Sequence, residues 1–140
     1  MESYVKDNPT VLQALIDYSG LTKSEIIEKV KFGNGPTIQI KEFNDNSKYG
    51  TFNGTDNPNT LNLNAAFARG LERATAQGTI EATSFLLAVT TLHEFVHYGR
   101  FFNGLSEGSY DYGLGFERDV YGVTIDKDNA GKYSWKFYKK

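Results

Sequence analysis

The sequence predicts an α+β domain in which a small mixed sheet packs on one long helix, with further helices around it. Three observations predict this class. Residues 80–98 form a proline-free stretch whose apolar side chains recur three and four positions apart, as in a buried helix. Residues 37–43 and 60–64 alternate apolar and polar side chains, as strands do. With 140 residues, 39% of them hydrophobic, the chain is large enough for one domain, residues 1–140, with one core.

The first 50 residues predict two helices and a strand. Residues 9–19 carry their apolar side chains on one side of a helix. A second helix begins after Leu21, where Thr22 and Glu25 have the spacing of a capping box. The glycines and proline of residues 32–36 then predict a turn that leads into the strand over residues 37–43.

The middle of the chain predicts a polar loop, two short strands and two helices. Residues 44–59 are rich in Asn, Asp and Gly, with a short strand expected over residues 49–52. The strand over residues 60–64 leads into a helix over residues 65–75. The long helix over residues 80–98 is expected to start behind Thr79 and to stop at Gly99.

The remaining elements complete the region expected to carry the functional site, residues 60–125. Residues 101–113 contain several glycines and predict a loop, and the glycine-rich stretch after them enters a short helix that Gly122 ends. Residues 121–140 predict a C-terminal hairpin, because two runs with strand composition flank the polar turn at residues 126–131.

Both histidines of the chain, His93 and His97, belong to one pentapeptide of the form H-E-x-x-H in the predicted long helix. Residues four apart lie one turn above each other on the same face of a helix, so the two imidazoles can share one metal ion. Glu94 lies about 100° round the helix. There it can take a proton from a metal-bound water without binding the metal itself.

Two histidines leave the site incomplete, because catalytic zinc usually has three protein ligands and an open position for water. The chain has no cysteine and no third histidine, so the third ligand must be a carboxylate. The downstream carboxylates are Glu107, Asp111, Glu117, Asp119, Asp126 and Asp128. Glu117, 20 positions after His97, is the preferred ligand, and Asp119 is the alternative. Either can instead be the carboxylate that orients a ligating histidine.

The motif followed by Glu117 after a 19-residue gap resembles the gluzincin metallopeptidases. The metzincin pattern is absent, because Arg100 and Asn103 stand where that pattern has Gly and His. More specifically, residues 92–99 resemble the metallopeptidase-toxin domains at the C-terminal ends of bacterial polymorphic toxins. The Gly-Phe-Glu segment at residues 115–117 and the Tyr-Gly pair at residues 121–122 contribute to this resemblance. The resemblance is best over about residues 60–125.

The resemblance implies a zincin-like fold and a zinc metalloendopeptidase. It implies that Zn²⁺ is bound by His93, His97 and Glu117, and that Glu94 acts as the general base. It also implies a protein or peptide substrate, a cognate immunity protein that blocks the cleft, and export as the C-terminal domain of a larger secreted toxin. An edge strand over residues 61–63 is expected to pair with extended substrate.

Two other functions remain open, as does one catalytic role. The first is a zinc-containing binding module without peptidase activity, and the second is a helical interaction domain without metal. A peptidase needs a further donor for the oxyanion, and without a spare histidine that donor must be a Tyr or Arg. The candidates are Tyr110, Tyr112 and Arg118.

The charge and hydropathy of the chain exclude several partners. The net charge is −2 and the pI is about 5.7, with no basic stripe, so we expect no nucleic acid or anionic membrane as a partner. No apolar run is long enough to span a bilayer. The first residues are polar and acidic rather than a signal peptide. The absence of cysteine leaves the redox compartment open.

Overall fold

A computed structural model describes residues 1–135 of the chain. Helices and a three-stranded sheet form a mixed α+β fold, as the sequence predicts. The elements in chain order are α1 (Glu2–Asp7), α2 (Pro9–Ser19), α3 (Lys23–Lys29), β1 (Thr37–Lys41), β2 (Gly50–Thr51), β3 (Thr60–Asn64), α4 (Ala65–Arg73), α5 (Gln77–Phe102), α6 (Tyr112–Tyr121) and α7 (Ala130–Tyr133).

The sheet is mixed, with β3 in its centre. β1 pairs with β3 in parallel from Thr37 opposite Thr60 to the ends of both strands, and β2 pairs with the other side of β3 in antiparallel orientation. The expectation that residues 61–63 form an edge strand is therefore wrong, because both sides of β3 have a strand neighbour. The edge that borders α5 is β2: a side chain at Gly50 would approach Thr90 within 2.6 Å.

The hydrophobic core is centred on α5, which packs against α2, α4, α6, α7 and β3. The four apolar residues that predict the buried stripe are all at most 1% exposed; they are Phe85, Val89, Leu92 and Val96. Full burial of such a side chain stabilises the fold by about 1.5–3 kcal/mol. The side of α5 next to this stripe carries both histidines, so the core fixes the direction in which they face.

Helix α5 continues past its predicted stop at Gly99 and ends at Phe102. Gly99 lies against the end of α2: a Cβ atom there would be 2.8 Å from Ser19 Cβ and 3.0 Å from the Leu21 side chain. This glycine therefore permits close packing of two segments inside the helix. Because packing and not local propensity decides the helix end, the stop signal in the sequence is misleading.

The N-terminal helices match the sequence, with one addition. The predicted capping box of α3 is present, since Thr22 Oγ1 accepts a hydrogen bond from Glu25 N–H and the Glu25 carboxylate accepts one from Thr22 N–H. The short helix α1 has no clear signal in the sequence. It is held by burial of Val5 and by a 2.7 Å hydrogen bond between the hydroxyls of Tyr4 and Tyr121.

The predicted C-terminal hairpin is wrong for residues 121–135. Gly122 ends α6 in the left-handed conformation, as expected, but the polar turn then starts the short helix α7. Asp126 Oδ1 accepts hydrogen bonds from the N–H groups of Asp128 and Asn129, both 2.8 Å long, which bend the chain into a helical turn. The rest of the hairpin prediction falls on residues 136–140, outside the described residues.

None of the helices in residues 1–135 combines the length and the apolar character that a crossing of the bilayer requires.

Candidate metal centre

An open cleft of about 1000 Å³ runs along the C-terminal half of α5. Its walls are the sheet edge with the loop after β2 on one side and the loop of residues 103–111 on the other. Both histidines and Glu94 line it. Its other polar side chains include Gln39, Lys41, Lys48, Asn53, Asn57 and Asn62.

The imidazoles of His93 and His97 lie one helical turn apart, with ring centroids separated by 5.1 Å. Each Nδ1 atom faces a carboxylate: Glu117 Oε2 is 2.5 Å from His93 Nδ1, and Glu107 Oε2 is 2.7 Å from His97 Nδ1. In neutral imidazoles these carboxylates hold the proton on Nδ1 and leave Nε2 as a free electron-pair donor. Such pairing is typical of metal-binding histidines.

Asp111 lies between the two Nε2 atoms. Its Oδ1 atom is 3.2 Å from His97 Nε2 and 3.5 Å from His93 Nε2. Asp111 is the N-cap of α6, where the same oxygen accepts a hydrogen bond from Leu114 N–H at 3.1 Å. One carboxylate oxygen therefore faces the Nε2 atoms of both imidazoles at one point in the cleft, called the shared point below.

Glu94 lies beside this point and is buried, with 6% of its surface exposed. Its Oε2 atom is 4.0 Å from His93 Nε2, and one donor atom from each of His93, Glu94 and His97 falls within 4.8 Å of the others. Burial raises the pKa of Glu94, although the two nearby histidines act in the opposite direction. A carboxylate with a raised pKa is suited to accept and return a proton.

The surrounding carboxylates also change the protonation of the histidines. Burial opposes the charged form, but contact with Asp111 and Glu107 outweighs it and raises the pKa of His97 to about 9. The pKa of His93 is raised in the same way, chiefly through Glu117. Burial alone would raise the pKa of Asp111, yet the hydrogen bonds from His97 and Leu114 hold it well below its usual range.

These residues fit a divalent metal ion. Two imidazole nitrogens and carboxylate oxygens are the donors that zinc takes in catalytic sites, and no thiolate is needed. Within the described part of the chain, two histidines are surrounded by the carboxylates of Glu94, Glu107, Asp111 and Glu117. A cation at the shared point would offset this excess of negative charge.

The neighbouring backbone holds the two rings and the loop in place. The first turn of α6 lies directly on the imidazole of His93, where a Cβ atom at Gly113 would overlap the ring. The Arg100 guanidinium donates a 2.7 Å hydrogen bond to the carbonyl of Ser106 and lies 3.5 Å from the centre of the Tyr112 ring. Arg100 therefore holds in place the loop that carries Glu107 and leads to Asp111, because it contacts residues in that loop and at its end.

The structure places the two carboxylates preferred from the sequence on α6. Glu117 is buried and joins the histidine pair through His93 Nδ1, on the side of the ring opposite Nε2. Asp119 is exposed and is not among the residues that line the cleft. Glu107 and Asp111, which sequence spacing did not single out, are the carboxylates on His97. The local signal for Asp111 is that Asp is a favoured residue at the N-cap of a helix. Here its side chain caps α6 by accepting a hydrogen bond from Leu114 N–H.

The three residues suggested as oxyanion donors are not among the residues that line the cleft. Tyr112 lies under the Arg100 guanidinium, and Tyr110 packs against Tyr112 with ring centroids 4.7 Å apart. Arg118 is exposed. The side-chain donors that do line the cleft include amides and lysines, which spacing in the sequence cannot locate.

Comparison with known protein families identifies a family that matches this chain. Neither the curated proteins nor the solved structures contain a match to this chain. The family described as metallopeptidase toxin 3 matches residues 1–122, which include all the residues of the candidate metal centre. The match also includes the N-terminal helices, beyond the region where the resemblance was expected to be best. The chain therefore belongs to the metallopeptidase toxin 3 family.

Proposed function

We propose that this chain is a zinc-dependent endopeptidase that acts as a bacterial toxin domain. His93 and His97 bind the zinc ion, and Glu94 is the general base for hydrolysis of a peptide bond. Membership of a metallopeptidase family supports the reaction class. The particular metal, the roles of these residues and the zincin-like character of the fold belong to the proposal.

One structural observation supports this proposal most directly. The Nε2 atoms of both histidines face the same point in an open cleft, while both Nδ1 atoms are held by carboxylates. Two histidines that only fill space in a core have no need of this common orientation. The buried Glu94 beside them favours an enzyme over a zinc-containing binding module, because burial of a carboxylate costs stability and a structural site has no use for a base.

When bound, zinc lowers the pKa of a water molecule and polarises the carbonyl of the peptide bond. With the metal in place, Glu94 would be the residue that takes a proton from the attacking water, because its carboxylate lies beside the shared point at 4.0 Å from His93 Nε2. Its raised pKa then allows it to give the proton to the nitrogen of the leaving amine. Glu107 and Glu117 keep the two imidazoles in the tautomer and orientation that the site requires.

The cleft suits an extended polypeptide. It is open to solvent, and β2 is a two-residue strand at the edge of the sheet beside α5. An extended peptide can add to such an edge through main-chain hydrogen bonds. We therefore propose that substrate lies along residues 50–53, and that amide or ammonium groups of Asn53, Asn62 or Lys48 contact its carbonyl oxygens.

The family name supports a role as a toxin with a protein substrate. We propose in addition that the domain is exported as part of a larger secreted protein. A cognate immunity protein would then protect the producing cell by covering this cleft.

The test combines metal content with proteolysis. Native protein, His93→Ala and Glu94→Gln are supplied with zinc, dialysed and analysed for metal, then incubated with a bacterial cell extract whose new N-termini are identified by mass spectrometry. We expect about one zinc per chain in the native protein and in Glu94→Gln, and none in His93→Ala. Cleavage by Glu94→Gln should fall by about 10²–10⁴-fold.

Glu81→Gln is a matched control, because Glu81 also lies on α5 but near the start of the helix, away from the cleft. It should bind zinc and cleave as the native chain does. Native protein that takes up no zinc would refute the metal site. Native protein that binds zinc but produces no cleavage, with or without Glu94, would favour the binding module instead.

A further inference from the structure

We infer that Asp111 is the third protein ligand of the metal, and that Glu117 is a positioning residue for His93. This inference rests on the proposed zinc site and deepens it. It changes the ligand set from the His, His, Glu arrangement of the resemblance to a His, His, Asp arrangement. The evidence is that Asp111 faces the Nε2 atoms of the two imidazoles, whereas Glu117 faces Nδ1 of His93.

The distances at Asp111 match those between ligands of one metal ion. Two ligand atoms about 2.0–2.2 Å from a tetrahedral zinc lie about 3.4 Å from each other. Asp111 Oδ1 is 3.2 Å from His97 Nε2 and 3.5 Å from His93 Nε2. The same oxygen therefore has the separation expected of a ligand from both nitrogens at once.

Glu117 is not available for this position. One of its oxygens contacts His93 Nδ1, and the other accepts a 2.7 Å hydrogen bond from the backbone N–H of Ile125. Both oxygens are committed, and the side chain is only 6% exposed. A buried carboxylate on Nδ1 orients an imidazole that binds metal through Nε2.

Glu94 is the other carboxylate close to the shared point, and it is farther away than Asp111. Its Oε2 atom is 4.0 Å from His93 Nε2, which leaves room for water between the carboxylate and the site. Asp111, by contrast, is fixed by the N-cap hydrogen bond from Leu114, while 43% of its side chain is exposed to the cleft. The ligand is thus held by backbone, and the position next to it stays open to water and substrate.

The experiment measures metal affinity rather than turnover. Native protein, Asp111→Asn, Glu117→Gln and Asp119→Asn are titrated with Zn²⁺ against a competing chelator, and the visible spectrum of each Co²⁺-loaded protein reports the ligand set. Asp119→Asn is the matched control, because Asp119 is exposed on the same helix. Asn at position 111 keeps an oxygen for the N-cap, so α6 should still form, which circular dichroism checks.

We expect Asp111→Asn to weaken zinc binding by more than about 100-fold and to alter the Co²⁺ spectrum. Glu117→Gln should weaken binding by about 10–100-fold, as expected for a residue that acts through a ligating histidine, and leave the Co²⁺ spectrum close to native. Asp119→Asn should bind as the native protein does.

Two results would overturn the inference. Native affinity and spectrum in Asp111→Asn, with loss of both in Glu117→Gln, would return the ligand role to Glu117. In that event His93→Ala would still lose zinc, so the proposed function would stand. A native chain that binds neither Zn²⁺ nor Co²⁺ would refute the proposed function and this inference together.

Discussion

Glu117 joins His93 to the backbone of Ile125: one carboxylate oxygen lies 2.5 Å from His93 Nδ1 and the other accepts a 2.7 Å hydrogen bond from Ile125 N–H. A single buried side chain on α6 thereby connects α5 to the segment that follows α6. This connection makes Glu117 important both for stability and for the orientation of the ring.

Glu117→Ala should destabilise the metal-free protein by about 2–4 kcal/mol, because it leaves the buried His93 and Ile125 donors without an acceptor. Glu117→Gln keeps an oxygen for Ile125 N–H but turns its amide NH₂ toward His93 Nδ1, so it should cost about 1–2 kcal/mol, less than Glu117→Ala. Urea unfolding in chelator measures both. Equal destabilisation by the two variants would contradict the assigned hydrogen bonds.

Gly113→Ala should displace the His93 ring, because the added methyl group would overlap the imidazole. We expect zinc affinity to fall by about 10–100-fold, the range typical of a disturbed ligand orientation. Gly70→Ala on α4 is the control, since a Cβ atom there meets no neighbour within 4 Å. It should leave zinc binding unchanged and stabilise the helix by up to about 1 kcal/mol. Competition titration and thermal unfolding provide the two measurements.

Arg100→Ala should destabilise the protein by about 3 kcal/mol, because it removes the charged hydrogen bonds to the carbonyls of Ser106 and Tyr18 and the stacking on Tyr112. Arg100→Lys should recover less than half of this loss, since one ammonium can neither reach both carbonyls nor stack as a planar group. Proteolysis in the loop of residues 103–111 should increase in both variants. An unchanged cleavage rate there would contradict the role of Arg100 in fastening the loop.

The metal-free protein should lose stability as the pH rises above about 6.5. The pKa of His97 is raised from 6.5 to about 9 in the folded chain, so its contribution is complete below 6.5 and is lost as the pH passes 9. The lowered pKa of Asp111 acts in the other direction, and its contribution is lost only as the pH falls below 3.8. Unfolding at a series of pH values in chelator tests this. His97→Gln should reduce the alkaline slope and leave the part that comes from His93, whose pKa is also raised. An unchanged slope in that variant would locate the titration elsewhere.

The sequence predicts the parts of the site that depend on local spacing. The stripe from Phe85 to Val96 fixes which face of α5 is buried, and the four-residue interval between His93 and His97 then puts both rings on one side of the helix. The capping box at Thr22 is equally local and equally reliable.

The sequence does not predict which carboxylate faces which imidazole nitrogen. Counting residues from His97 to Glu117 gives no information on the side of the ring that the acid will reach. That side depends on the path of the loop, which is set by contacts between distant segments, such as Arg100 with Tyr18 and Asn103 with Gly20. The sequence does not predict helix α1 for a similar reason. This helix is stabilised by the hydrogen bond between Tyr4 and Tyr121, which lies at the end of α6.

The close approach of Gly99 to Ser19 and Leu21 has a consequence for any attempt to shorten the protein. The end of α2 and the connection that follows it pack against the last turns of the helix that holds both histidines. Trimming the chain to the segment with the recognisable motif would remove those contacts. We expect the toxin domain to work only as a complete unit, with no smaller enzyme inside it.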